Sequence, residues 1–318
     1  MFSEFLSMLD FAFGVTGPIF LTVSLGIFLK RVNVIDTVLM DKASKLVFMV
    51  ALPALLFMSV VKTDLSKVLN PELLLVSVGA TIAVFILLSM VAPILVTNAR
   101  DRGVFVQGAF RGNLAIVGLA LCINAYGDAG LASASILMSI LTLFYNVLSI
   151  YTLSASLDAG GQSVRKIGVS ILKNPLIIAI VSGMVINVLR IPIPAVAMKT
   201  GGYLAQMTLP LALLCIGGSL SFSEMRSSSW VAMWSVAAKL VITPIFILLI
   251  VYWYGFRGMD LGVVFLMVST PSAAVSYIMV QAMGGNAKLA ANIVVVSTLL
   301  SLVTVSLGLV ILKAWGVI

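Results

Sequence analysis

A succession of apolar runs limits this chain more than any other feature. Each run is about 20 residues long, the length an α-helix needs to cross a ~30 Å hydrocarbon core. Only 9% of the 318 residues are charged and 61% are hydrophobic, too little charge to cover a soluble fold of this size. A transmembrane β-barrel would show alternating segments of ~10 residues instead. The pattern predicts an all-α polytopic membrane protein with ten transmembrane helices, at roughly 10-29, 43-61, 72-97, 104-125, 130-157, 168-189, 200-220, 228-253, 260-283 and 287-314. The opening "MFSEFLSMLD" carries two acids and no base, unlike the basic start of a signal peptide, so the first run reads as a retained span.

Lys and Arg in the loops set orientation. With the N-terminus outside, the inner loops hold eleven bases (Lys30, Arg31, Lys42, Lys45, Arg100, Arg102, Arg165, Lys166, Lys173, Arg226, Lys288). The outer ends and loops hold six (Lys62, Lys67, Arg190, Lys199, Arg257, Lys313). Both termini are therefore expected on the non-cytoplasmic side. The net charge of +8 comes without a basic run or aromatic-basic interleaving, so nucleic acid is not an expected partner. There is no histidine, which removes the usual zinc ligand and the usual general base near neutral pH. Neither metal nor cofactor is expected, and Cys122 and Cys215 read as small buried hydrophobes.

The chain also repeats itself. "GPIFLTVSLG" (17-26) and "NPLIIAIVSG" (174-183) share a Pro-to-Gly spacing, and "LPALLF" (52-57) answers "LPLALL" (209-214). Further on, "GDAGLASASILMSIL" (127-141) lines up with "GNAKLAANIVVVSTL" (285-299), at an offset of 158 residues. Pro93 and Pro244 do not match at this offset, so the third helix of each half has diverged. The halves, 1-157 and 158-318, read as five-helix repeats. Because five is odd, the second runs opposite to the first. Inverted repeats mark many secondary transporters, whose sites lie near the midplane on discontinuous helices.

One such discontinuity is written in "FLMVSTPSAAVSYIMVQAMGG" (265-285), where Ser269-Thr270-Pro271-Ser272 interrupts an apolar span. Proline removes a helical hydrogen bond and clashes with the preceding turn. In lipid, a break is tolerated only where protein or a water-filled cavity surrounds it. At the repeat offset Pro271 falls opposite Asn113, in "GAFRGNLAIVGLAL" (108-121) of helix 4.

"LPALLF", "RGNLAIVGL" (111-119), "AKLVITP" (238-244), "STPSAAVSYIMVQAMGG" (269-285) and "LAANIVVVSTLLS" (289-301), in this order, resemble the auxin efflux carrier family of membrane transporters. That family includes plant auxin exporters and bacterial malonate or malate permeases. The resemblance covers nearly the whole chain. It implies ten helices in two inverted repeats, with helices 1, 2, 6 and 7 as a scaffold, and helices 3-5 and 8-10 as a transport domain. Helices 4 and 9 would be broken and cross beside the substrate. Some relatives have Pro at the helix 4 break, where this chain has Asn113-Leu114. The short loop 158-168 is as in bacterial members, which implies the bacterial cytoplasmic (inner) membrane. A homodimer through the scaffold helices is allowed.

Every acid sits in a loop or at a helix end, whereas two bases, Arg111 and Lys239, fall inside spans. A charge inside a span costs at least ~2.5–3.5 kcal/mol and usually serves a pathway or a partner. With no deep carboxylate, the expected countercharge is an anion. Two interrupted helices would also aim the positive N-terminal ends of their second halves at one point. The expected substrate-binding residues are Arg111, Asn113, Leu114, Lys239, Thr270, Pro271, Ser272 and Tyr277, with Gln281 following Tyr277 on the same face. Bland alternatives stand beside each. Arg111 snorkels to the surface, Asn113 is interhelical glue, Thr270 and Ser272 only cap half-helices, and Lys239 caps carbonyls. Gly108, Gly112 and Gly118 read as close-packing points.

The expected function is secondary transport of a small organic anion, a mono- or dicarboxylate, within the lipid bilayer by alternating access. The alternatives are an anion channel or a ligand-binding membrane sensor on the same scaffold. An enzyme is not expected, since only a Ser–Lys dyad on Lys239 remains for nucleophilic catalysis.

Overall fold

A computed structural model describes residues 2–62, 70–157, 175–219 and 229–318. Lys67, Arg165, Lys166, Lys173 and Arg226 from the orientation count lie outside the described residues. Helix α1 (Phe2–Arg31) begins well before the expected position 10, because nothing in the first turns breaks a helix. Helix α2 also starts early. The Asp36 side chain accepts the Leu39 N–H at 2.6 Å and caps Thr37–Leu46, which continues through a π turn (Val47–Ala51) into Leu52–Lys62. Lys42 and Lys45, read from sequence as loop residues, are therefore on the first turns of a helix.

Asn70 caps α3 (Pro71–Leu95), with Pro71 in its first turn, where its missing N–H costs nothing. Asn98 caps α4 (Ala99–Phe110), which stops before Arg111. The chain resumes in a π turn (Leu114–Gly118) that leads into α5 (Leu119–Leu157). A straight helix of the 44 residues Leu114–Leu157 would measure about 66 Å, twice the bilayer core. It is divided at Gly127, whose φ of 61° and ψ of −148° a side chain would not accept. Next come α6 (Pro175–Val188) and α7 (Ala195–Ser219). Helix α8 consists of Trp230–Ala237, a π turn (Ala238–Ile242) and Thr243–Trp253. The last three are α9 (Gly258–Val268), α10 (Ala274–Ala282) and α11 (Ala287–Ala314). In α2 and α8 the π turn lies just before a proline, Pro53 or Pro244. The wider turn accommodates the carbonyl that a proline ring would otherwise strike.

Among the described residues there is no strand, and seven helices are long and apolar enough to cross a membrane. Two shorter apolar helices, Ile178–Val188 and Gly258–Val268, accompany them. Leu75, Ile94 and Val196 are more than 70% exposed, as suits side chains that face acyl chains rather than water. Helices α1, α2, α6 and α7 pack on one another, as do α3, α4, α5 and α8 to α11. Contacts of α1 with α5 and α11, and of α2 with α5, join the two groups. Within the second group, edge-to-face pairs Phe85–Phe110 (5.2 Å) and Phe110–Tyr145 (5.4 Å) lock the end of α4 between α3 and α5.

Candidate functional site

Two interruptions meet inside the second group. Arg111-Gly112-Asn113 leave helical geometry between α4 and the π turn of α5, and Ser269 to Ala273 do so between α9 and α10. The two extended segments run antiparallel and pair at Gly112 and Ser272. The Asn113 N–H donates to the Pro271 carbonyl at 2.8 Å, and the Ala273 N–H donates to the Arg111 carbonyl at 3.2 Å. Each break supplies backbone partners that the other lacks, which is what a break in lipid requires. Gly112 allows the approach. A Cβ there would collide with the Thr270 hydroxyl and stand 3.1 Å from Lys239 Nζ. Gly108 and Gly118 are likewise close-packing points, against Ser235 and Ile293 and against Met267.

Four of the carbonyls freed at the ends of α4 and α9 are met by side chains. The Gly108 carbonyl accepts from Ser272 Oγ at 2.6 Å, and the Ala109 carbonyl from Thr243 Oγ at 2.9 Å. The Met267 carbonyl accepts from Thr270 Oγ1 at 2.8 Å, and the Val268 carbonyl from Lys239 Nζ at 2.8 Å. The Lys239 ammonium thus stands at the negative end of α9, where a cation is favoured. It is fully buried and has no carboxylate partner among the described residues. The capping alternatives for Thr270, Ser272 and Lys239 are therefore real hydrogen bonds in the structure.

Arg111 does not snorkel. It is buried, with Nη2 donating to Asn146 Oδ1 at 2.8 Å and Nη1 to Ser149 Oγ at 3.3 Å and Met279 Sδ at 2.8 Å. These partners on α5 and α10 are neutral, so its charge is uncompensated among the described residues. The Asn113 side chain is half-buried and makes no hydrogen bond among the described residues; its glue is the backbone, not the amide. Leu114 and Pro271 are buried at the crossing.

Seven of the eight expected residues thus meet at the crossing. Tyr277 is not among them, being half-buried against the apolar cluster that holds Val104 and Leu153. The Gln281 side chain lies outside the described residues. Sequence reasoning missed Asn146 and Ser149, although a lone amide in the apolar run "LTLFYNVLS" is a visible signal. It also missed Ser297, whose Oγ accepts the Ser272 N–H at 3.1 Å. Two buried hydroxyls at the second break, Ser269 and Ser276, have no partner among the described residues.

Residues 16–309 match the profile of the family described as "Membrane transport protein". The chain is 28% identical over 297 residues to an uncharacterized transporter of Methanothermobacter thermautotrophicus, covering 91% of this chain and 95% of that protein. It is 27% identical over 268 residues to a Rhizobium meliloti protein named "Putative malonate transporter", covering 80% and 82%.

Proposed function

This chain belongs to the membrane transport protein family, the auxin efflux carrier family that its motifs resemble, and we propose that it carries a small organic anion by alternating access. One observation carries the reading. Two buried bases with no acidic partner among the described residues, Arg111 and Lys239, flank a crossing of two interrupted helices. The second halves, starting at Leu114 and Ala274, present their positive N-terminal ends there. A carboxylate placed at the crossing gains those backbone N–H groups and the unengaged Asn113 amide. Ser269 and Ser276 offer it further hydroxyls. The name of the Rhizobium relative favours a dicarboxylate.

The proposed frame is ten transmembrane helices in two inverted five-helix repeats, 1-157 and 158-318. Asn113 and Pro271, mates at the repeat offset, are directly hydrogen-bonded, as expected of residues on a pseudo-two-fold axis. The grouping of α1, α2, α6 and α7 supports a scaffold against which the other helices move. We place the protein in the bacterial inner membrane with both termini outside, as a homodimer through the scaffold.

The test is a thermal-shift screen with malonate, malate, oxalate and indole-3-acetate, followed by flux in proteoliposomes. A carrier gives a ligand-induced shift and saturable uptake. Unsaturable current would support a channel instead, and a shift without flux would support a sensor.

A further inference from the structure

A trough of about 690 Å³ runs down the outer face of the molecule between α8, α9 and α11. Its walls are Ile245, Leu248 and Leu249 of α8, Phe265 of α9, and Leu307 and Ile311 of α11. Gly308 makes the floor possible. A Cβ there would collide with the Phe265 ring, so its absence lets the tip of the ring reach α11. Thr304, half-buried on the trough wall, points its hydroxyl back to its own helix, at the Leu300 and Ser301 carbonyls. The rest of the wall is apolar apart from Tyr252 and Trp315 at its mouth.

The dimensions select the occupant. Along α8 the trough extends from Leu240 to Tyr252, about 18 Å at the helical rise, close to half of a ~30 Å core. That is one leaflet, the span of one acyl chain. Its mouth carries the marks of a membrane interface: Trp253, Tyr254 and Trp315 are all exposed there. Arg257 stands at the same end. Its Nη1 donates to the Tyr252 and Phe256 carbonyls at 2.7 Å each, and its guanidinium carbon lies 3.4 Å from the centroid of the Tyr252 ring. Those contacts hold the group in place and leave Nε and Nη2 without partners among the described residues. Two donors on a fixed guanidinium suit a phosphodiester.

We propose that this trough is a binding site for one anionic phospholipid, with an acyl chain between α8 and α11 and the phosphate on Arg257. The inner end of the chain abuts Leu240, in the π turn that also carries Lys239. The bound lipid therefore braces the element that caps the α9 end of the crossing.

The test counts lipids on the intact protein by native mass spectrometry after exchange in detergent with phosphatidylglycerol or phosphatidylcholine. The expected result is one retained phosphatidylglycerol per chain, preferred about fivefold over phosphatidylcholine, the effect of one basic residue on an anionic headgroup. Arg257→Gln should bring the two lipids to parity. Leu249→Trp and Ile311→Trp, which fill the trough from exposed positions, should lose the retained lipid. Leu75→Trp, on the exposed face of α3, should retain it. The proposal is overturned if the trough-filling variants hold as much phosphatidylglycerol as wild type. Equal retention of both lipids by wild type would also overturn it, as would thermal stabilisation by glycerol 3-phosphate equal to that by phosphatidylglycerol.

Discussion

The two breaks at the crossing use different chemistry for the same end. At Thr270-Pro271-Ser272 a proline forbids the helix, and the stopped end of α9 is capped by an ammonium, Lys239, from α8. At Arg111-Gly112-Asn113 no proline is present. The helix stops because the extended backbone is paired to the other break, and because Ser272 and Thr243 satisfy two carbonyls of its last turn. The first break is local, whereas the second is imposed by its partner. A glycine that admits the neighbouring extended segment does for α4 what a proline does for α9.

This difference orders the effects of mutation. Lys239→Ala leaves the Val268 carbonyl without its donor and strips the crossing of one of its two charges. A buried unsatisfied group costs ~1–3 kcal/mol, more where charge is involved, so flux should fall by roughly 100-fold. Arg111→Ala should do the same, while size-exclusion profiles show a folded protein. Normal flux and affinity in both variants would remove the anion-site reading altogether. Gly112→Ala comes next. The added methyl drives Thr270 away and unpairs both breaks at once, and overpacking of ~1–3 kcal/mol predicts roughly 30-fold lower flux. Hydrogen exchange should rise at the Asn113 and Ala273 amides together. A rise at only one of them would mean that the breaks are independent.

Asn113→Ala should act on substrate and not on the fold, since the amide engages no protein group among the described residues. Losing one hydrogen bond to a charged ligand, ~1.5–3 kcal/mol, predicts a KM raised about tenfold or more with an unchanged melting temperature. A lowered melting temperature with unchanged KM would make Asn113 structural. The smallest effect is expected for Pro271→Ala. If pairing alone can hold a helix open, as it does at Gly112, the variant should keep its break and flux within about threefold of wild type. A larger loss would show that the proline, and not the pairing, maintains the crossing.

How legible these features were follows from how local each one is. The break at Pro271 could be read from four residues, because a proline acts on its own turn. The break at Arg111 could not, because its cause lies 158 residues further along the chain; the internal repeat and the family resemblance pointed to it, not the local residues. The early start of α2 follows from Asp36, a helix cap to which hydropathy is blind. The buried bases were plain in sequence, but their partners were not. Nothing local tells that Lys239 reaches Val268, or that Arg111 turns toward Asn146 and Ser149 on α5. The departure of Tyr277 from the crossing has the same origin, since helical phase places it on a face that tertiary packing then covers with apolar side chains.

The most direct test of the crossing as the substrate site is malonate counterflow in proteoliposomes, comparing wild type with Asn113→Ala across substrate concentrations. The account predicts saturable exchange by wild type and the same maximal rate in the variant, reached only at about tenfold higher malonate. Saturable exchange with an identical concentration dependence in both proteins would contradict it.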